Sequence, residues 1–115
     1  MTMLLLILLN VILLVAGQCS WKLALRGTHL TEWTNWIPLM AKPAIWAGCV
    51  LYAGATLLWL FILSRYDLSR VYPLQSLAYL FGALSGICLF KEAVSFQQWI
   101  GMAMILGGVV FFARA

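Results

Sequence analysis

Charge is what this chain has least of. Its 115 residues hold three acidic side chains, seven basic ones and a single histidine. Charged residues make up 9%, against roughly 25% in a typical soluble domain. No Ser-His-Asp or Cys-His arrangement assembles around His29, so no catalytic residue is expected. There is no GxxxxGK[ST], hence no nucleotide site of that type. The three cysteines (Cys19, Cys49, Cys88) are odd in number and contain no CxxC. They support neither a disulfide framework nor a zinc site and read as small buried packers. No metal or other cofactor is expected. The net charge of +4 is scattered, without a basic run, so nucleic acid is not an expected partner. Loop positives of this kind set topology and touch the anionic headgroups of membrane lipids.

What the chain has instead is apolar surface. Hydrophobic residues are 65% of it, and the mean hydropathy is +1.03. Small soluble folds bury only about 60–70% of the surface their unfolded chains expose, too little to hide this much. A helix needs about 20 mostly apolar residues to cross the hydrocarbon core. Four stretches supply them: 1–21, 44–64, 71–90 and 96–113. Backbone polar groups find no water in lipid, so each should be helical. The expected fold is all-α: one multi-pass transmembrane four-helix domain. The first stretch has no Lys or Arg before a long apolar run and reads as a retained span rather than a signal peptide. Four spans place both termini on one side with Arg65, Arg70 and Arg114. Lys22, Arg26, Lys42 and Lys91 fall on the other, so the positive-inside rule favours neither orientation.

The connection 22–43 is the long one. Leu30, Trp33, Ile37 and Met40 recur at helical spacing with Trp36 beside them, which suits a short helix in the interface. An irregular loop is the alternative, because Pro38 and Pro43 interrupt helices.

Polar residues inside spans are costly and often functional. Gln18 and Lys22 lie four apart on one helix face and can present an amide and an ammonium to an anion. The plainer reading is a snorkelling lysine that ends the helix. Pro73 suits the first turn of the third span. Tyr72, Gln75, Ser76 and Tyr79 follow as a polar-aromatic stripe, suited to hydroxyl-bearing or ring-shaped groups or else to interhelical hydrogen bonds. Glu92 reads as an acid stabilised by a helix dipole and Ser95 as the N-cap. Trp46 and Trp59 read as lipid-facing as readily as not. No carboxylate lies within a span. Gly82 with Gly86, and Ala103 with Gly107 beside Gly101 and Gly108, are small-residue faces for packing within one subunit or for a dimer seam.

Three phrases carry a resemblance. The run 90–101, Phe-Lys-Glu-Ala-Val-Ser-Phe-Gln-Gln-Trp-Ile-Gly, with Gly107-Gly108-Val109, resembles the last helix hairpin of the drug/metabolite transporter superfamily. Val71-Tyr72-Pro73-Leu74-Gln75-Ser76-Leu77 resembles the start of the preceding helix. Ala16-Gly17-Gln18 followed by Lys22 resembles the first helix. The small multidrug resistance proteins share the size and a glycine-containing last helix used for dimerisation, but their essential first-helix glutamate falls at Leu14 here. The small subunits of the undecaprenyl-phosphate-aminoarabinose flippase are closer, with a similar Ala-Gly-Gln and Lys. That resemblance implies a bacterial inner-membrane flippase subunit, not an enzyme, acting in lipid A modification. Its cargo would be a polyprenyl-phosphate-linked sugar, and its partner a second copy or a homologous small subunit. Lys22 would hold the phosphate beside Gln18. Arg65 and Arg70 would gather the lipid, and Tyr72, Ser76 and Tyr79 would meet the sugar. The alternative is an exporter of cations or metabolites like the small multidrug proteins.

Overall fold

The computed structural model describes residues 2–26 and 33–114. Among them the order is α1 (Thr2–Ala24), a 3₁₀ turn (Trp33–Asn35), α2 (Trp36–Met40), α3 (Pro43–Arg65), α4 (Leu68–Leu74), α5 (Leu77–Leu89) and α6 (Phe96–Ala113). Four helical stretches are long and apolar enough to cross a membrane: α1, α3, α4 with α5, and α6.

The closest pair is α1 with α3, which run antiparallel. Two glycines let their backbones approach: a Cβ built on Gly17 would sit 3.1 Å from the Gly48 carbonyl oxygen, and one on Gly48 would sit 2.8 Å from that of Gly17. In lipid, helices associate through such close contact rather than through apolar burial. Side chains then tie α1 to α3 along its length. Ser20 Oγ donates to Ala44 O at 2.6 Å, and Trp21 Nε1 to Ile45 O at 3.1 Å. The Trp21 ring stacks on Tyr52 with centroids 5.3 Å apart. The apolar core gathers Ile7, Val11 and Val15 of α1 with Ile62, Val71, Leu74 and Val109.

The third span departs from the sequence expectation. It begins at Leu68, so Pro73 falls inside α4 rather than in a first turn. A proline there has no N–H to return to the preceding turn. The chain tightens instead: the N–H of Ser76 reaches Pro73 O, that of Ala78 reaches Gln75 O, and that of Tyr79 reaches Ser76 O. The helix is broken at Gln75 and Ser76.

Both readings of the long connection are partly realised. A 3₁₀ turn leads into the five-residue α2. Pro38 is accommodated in its first turn, and Pro43 opens α3. Trp33, Ile37 and Met40 face outward, while Leu39 turns inward. Leu30 lies outside the described residues. The expectation of buried cysteines is corrected: Cys49 and Cys88 are exposed and Cys19 half-buried. A thiol facing lipid leaves no polar surface in need of cover. Helix α6 starts at a capping box, in which Gln98 N–H donates to Ser95 Oγ (3.2 Å) and Ser95 N–H to Gln98 Oε1 (2.8 Å). It is the most peripheral span, with 6% of its apolar window buried.

Candidate functional site

Asn10, Leu14, Gln18 and Lys22 follow one another every four residues, down a single face of α1. Asn10 is 1% exposed. Its Nδ2 donates to Ala55 O at 2.6 Å, and its Oδ1 accepts from Gln75 Nε2 at 2.8 Å. An unpaired amide is costly in an apolar interior, so these bonds hold three segments in register. Gln75 lies at the break after Pro73.

At this junction lies a partly open groove of about 510 Å³. α1 lines it with Asn10, Leu14 and Gln18. α3 adds Tyr52, Thr56 and Trp59, and the broken span adds Tyr72, Gln75, Ser76 and Tyr79. Trp59 meets Tyr72 edge to face, with centroids 6.3 Å apart and planes at 62°. The groove wall is aromatic, amide and hydroxyl, with Leu14 set between the amides of Asn10 and Gln18.

Toward the C-terminal end of α1 a smaller cavity of about 180 Å³ adjoins it, lined by Gln18, Lys22, Ser85, Gly86, Phe90 and Glu92 among others. Gln18 belongs to both spaces. Lys22 Nζ lies 3.3 Å from Glu92 Oε2, with the two side chains 54% and 49% exposed. The α5–α6 turn delivers that carboxylate. Lys91 adopts φ 53°, which folds the chain back so that Glu92 N–H donates to Gly86 O at 3.1 Å. Any Cβ on Gly86 would collide with Glu92 Oε1. A second cation stands at the rim: the Arg26 guanidinium lies 5.2 Å from the Phe90 ring centroid.

The structure thus brings Gln18 and Lys22 together in one space, and Gln18 into the groove with Tyr72, Ser76 and Tyr79. Of the polar-aromatic stripe, Gln75 makes the interhelical bond, while Ser76 Oγ returns to its own backbone at Pro73 O. Arg65 and Arg70 are not part of this cluster. They lie at the opposite end of the bundle, because α3 runs antiparallel to α1, and the Arg65 guanidinium lies over Phe61. Glu92 requires a correction. The first turn of α6 contains no acidic residue, and Glu92, ahead of the Ser95 cap, pairs with Lys22 instead of a helix dipole. Trp59 proves half-buried in the groove wall. The Gln18–Lys22 face of α1 was visible as a four-residue spacing; its continuation to Asn10 and the Lys22–Glu92 and Asn10–Gln75 pairings, across most of the chain, were not.

No protein-family profile matches the chain, and no solved structure matches it. Curated relatives do. A Pseudomonas fluorescens protein described as a probable 4-amino-4-deoxy-L-arabinose-phosphoundecaprenol flippase subunit ArnE is 32% identical over 112 residues, 95% of each chain. A Hamiltonella defensa protein of the same description is 34% identical, over 96% of this chain and 95% of its own. An Escherichia fergusonii protein, again so described, is 33% identical over 92% of each. With this identity sustained along nearly the full length of these relatives, the chain belongs to the ArnE family of small membrane flippase subunits.

Proposed function

We propose that this chain is one subunit of a flippase for a polyprenyl-phosphate-linked aminosugar in the bacterial inner membrane, serving lipid A modification. It would work as a homodimer or beside a homologous small subunit. The observation that carries the reading is that Gln18 joins two spaces, the Lys22 cavity and the groove floored by the Asn10–Gln75 junction, so that polar groups recur from one to the other.

Moving such a lipid means carrying an anionic phosphate and a polar sugar through hydrocarbon while the long chain stays in lipid. An unpaired charge in that interior is strongly disfavoured. Lys22 supplies the opposite charge, Gln18 donates beside it, and Arg26 stands at the rim as a second cation. The groove takes the sugar. Tyr52, Trp59, Tyr72 and Tyr79 offer ring faces to pyranose C–H groups and to an ammonium, and Ser76 and Gln75 offer hydrogen bonds. An opening of the groove between helices would let the polyprenyl tail remain outside. Arg65 and Arg70, at the far end, give the phosphate a station on the other side of the membrane.

The test is binding of undecaprenyl phosphate to purified full-length variants. Lys22→Ala should lose most binding, Lys22→Arg should recover part of it, since charge is kept and shape altered, and Lys42→Ala should bind as wild type. Lys42 makes a suitable control because its Nζ already donates to Ala24 O at 2.7 Å. Equal affinity in wild type and Lys22→Ala would refute the phosphate role.

A further inference from the structure

The cation assigned to the cargo phosphate already carries an anion of its own. Glu92 Oε2 lies 3.3 Å from Lys22 Nζ, and its placement is built into the backbone. Lys91 holds a left-handed φ of 53°, a region that non-glycine residues seldom enter. That turn sets Glu92 N–H on Gly86 O, and the bare Cα of Gly86 leaves room for the carboxylate above it. The pair lines the small cavity that joins the groove at Gln18. Both side chains are only half buried, at the C-terminal end of α1, and an ion pair so little enclosed adds little net stability, so another anion can displace it cheaply.

From this we infer that Glu92 is an internal stand-in for the cargo's phosphate: it occupies Lys22 while the groove is empty, yields it to an arriving phosphate and reclaims it as the lipid leaves. Glu92 is then a positioning residue acting through Lys22. It keeps the ammonium aimed into the cavity and competes with the cargo, lowering affinity and speeding release. The inference rests on the reading that Lys22 takes the phosphate.

The experiment measures binding and dissociation of undecaprenyl phosphate with the full chain in phosphatidylethanolamine nanodiscs. Wild type is compared with Glu92→Gln, Lys22→Gln and the double variant. Removing a weak competitor should tighten binding about two- to sixfold and slow dissociation. On the Lys22→Gln background the same change should do nothing. Glu92→Asp, which keeps the charge, should return affinity toward wild type; a purely structural role for the side chain would give no such charge dependence. Glu92→Ser serves as a second charge-removing variant should the glutamine variant fold poorly. Undecaprenol is the phosphate-free control, and inorganic phosphate is titrated in parallel. Unchanged or weaker binding in both Glu92→Gln and Glu92→Ser, with Lys22→Gln still impaired, overturns the stand-in and leaves the phosphate role of Lys22 intact. Wild-type binding by Lys22→Gln removes that role and the inference with it. Tightening for inorganic phosphate but not for the lipid assigns the site to a free anion and also overturns it.

Discussion

Gln75 reaches Asn10 across 65 positions of sequence, its Nε2 donating to the Asn10 Oδ1 at 2.8 Å. Asn10 passes its own N–H to Ala55 O. One buried amide therefore joins α1, α3 and the break between α4 and α5, at the floor of the groove.

That junction should show up as coupling. Asn10→Ala and Gln75→Ala are each expected to destabilise the protein, with an interaction energy of about 0.6–1.7 kcal/mol in a double-mutant cycle. Reversible unfolding in detergent micelles measures it. Additive effects would mean the bond contributes nothing to the fold.

The α1–α3 crossing should be intolerant of a single methyl group. A Cβ on Gly48 would meet the Trp21 ring and the Gly17 carbonyl, whereas one on Gly54 would meet nothing within 4 Å. Gly48→Ala is expected to cost about 1–3 kcal/mol, and Gly54→Ala close to nothing. Thermal denaturation of the two side by side is the comparison, and equal midpoints would contradict the close approach.

Self-association should respond to α6 without harm to the subunit. A Cβ at Gly107 meets nothing within 4 Å, so Gly107→Leu should leave monomer stability nearly unchanged while blocking close approach of a second chain. Cross-linking in native membranes reads the outcome. An unaltered yield of oligomer would move the seam elsewhere.

The aromatic wall should read the sugar rather than the phosphate. Trp59 meets Tyr72 edge to face in the groove, and cation–π contacts contribute about 0.5–2 kcal/mol. Trp59→Leu is expected to weaken binding of the aminosugar-linked lipid about threefold or more, with undecaprenyl phosphate bound as before. Parallel loss for both ligands would show that the ring supports the groove instead of recognising the head.

Much of the fold was legible because lipid imposes a strong local constraint. Apolar runs of spanning length must be helices, and Ser95 announces the start of α6 without reference to anything distant. The site was legible only one helix at a time, as the Gln18–Lys22 face of the first span and the Tyr72, Gln75, Ser76 and Tyr79 stripe of the third. Gln18 and Lys22 share a face by spacing alone. Pro73 misled because its meaning depends on where the helix starts: at Leu68 rather than Val71, it becomes the cause of a break. Glu92 misled in the same way, since proximity in sequence to α6 suggested a dipole partner while the turn at Lys91 carries it to α1.

The sequence by itself determined the solvent, the number of spans, the scarcity of charge within them and the polar face of α1. These follow from composition and from a 3.6-residue period, and need no knowledge of neighbours. Only the tertiary structure decided that Gly17 and Gly48 set the tightest crossing, that Gln75 turns in to Asn10, and that Lys22 is held by Glu92 while Arg65 and Arg70 stand at the far end. Each depends on residues far apart in the chain. In lipid, where apolar burial does not distinguish one helix pairing from another, small-residue contacts and a few hydrogen bonds choose among them, and those are properties of the assembled bundle.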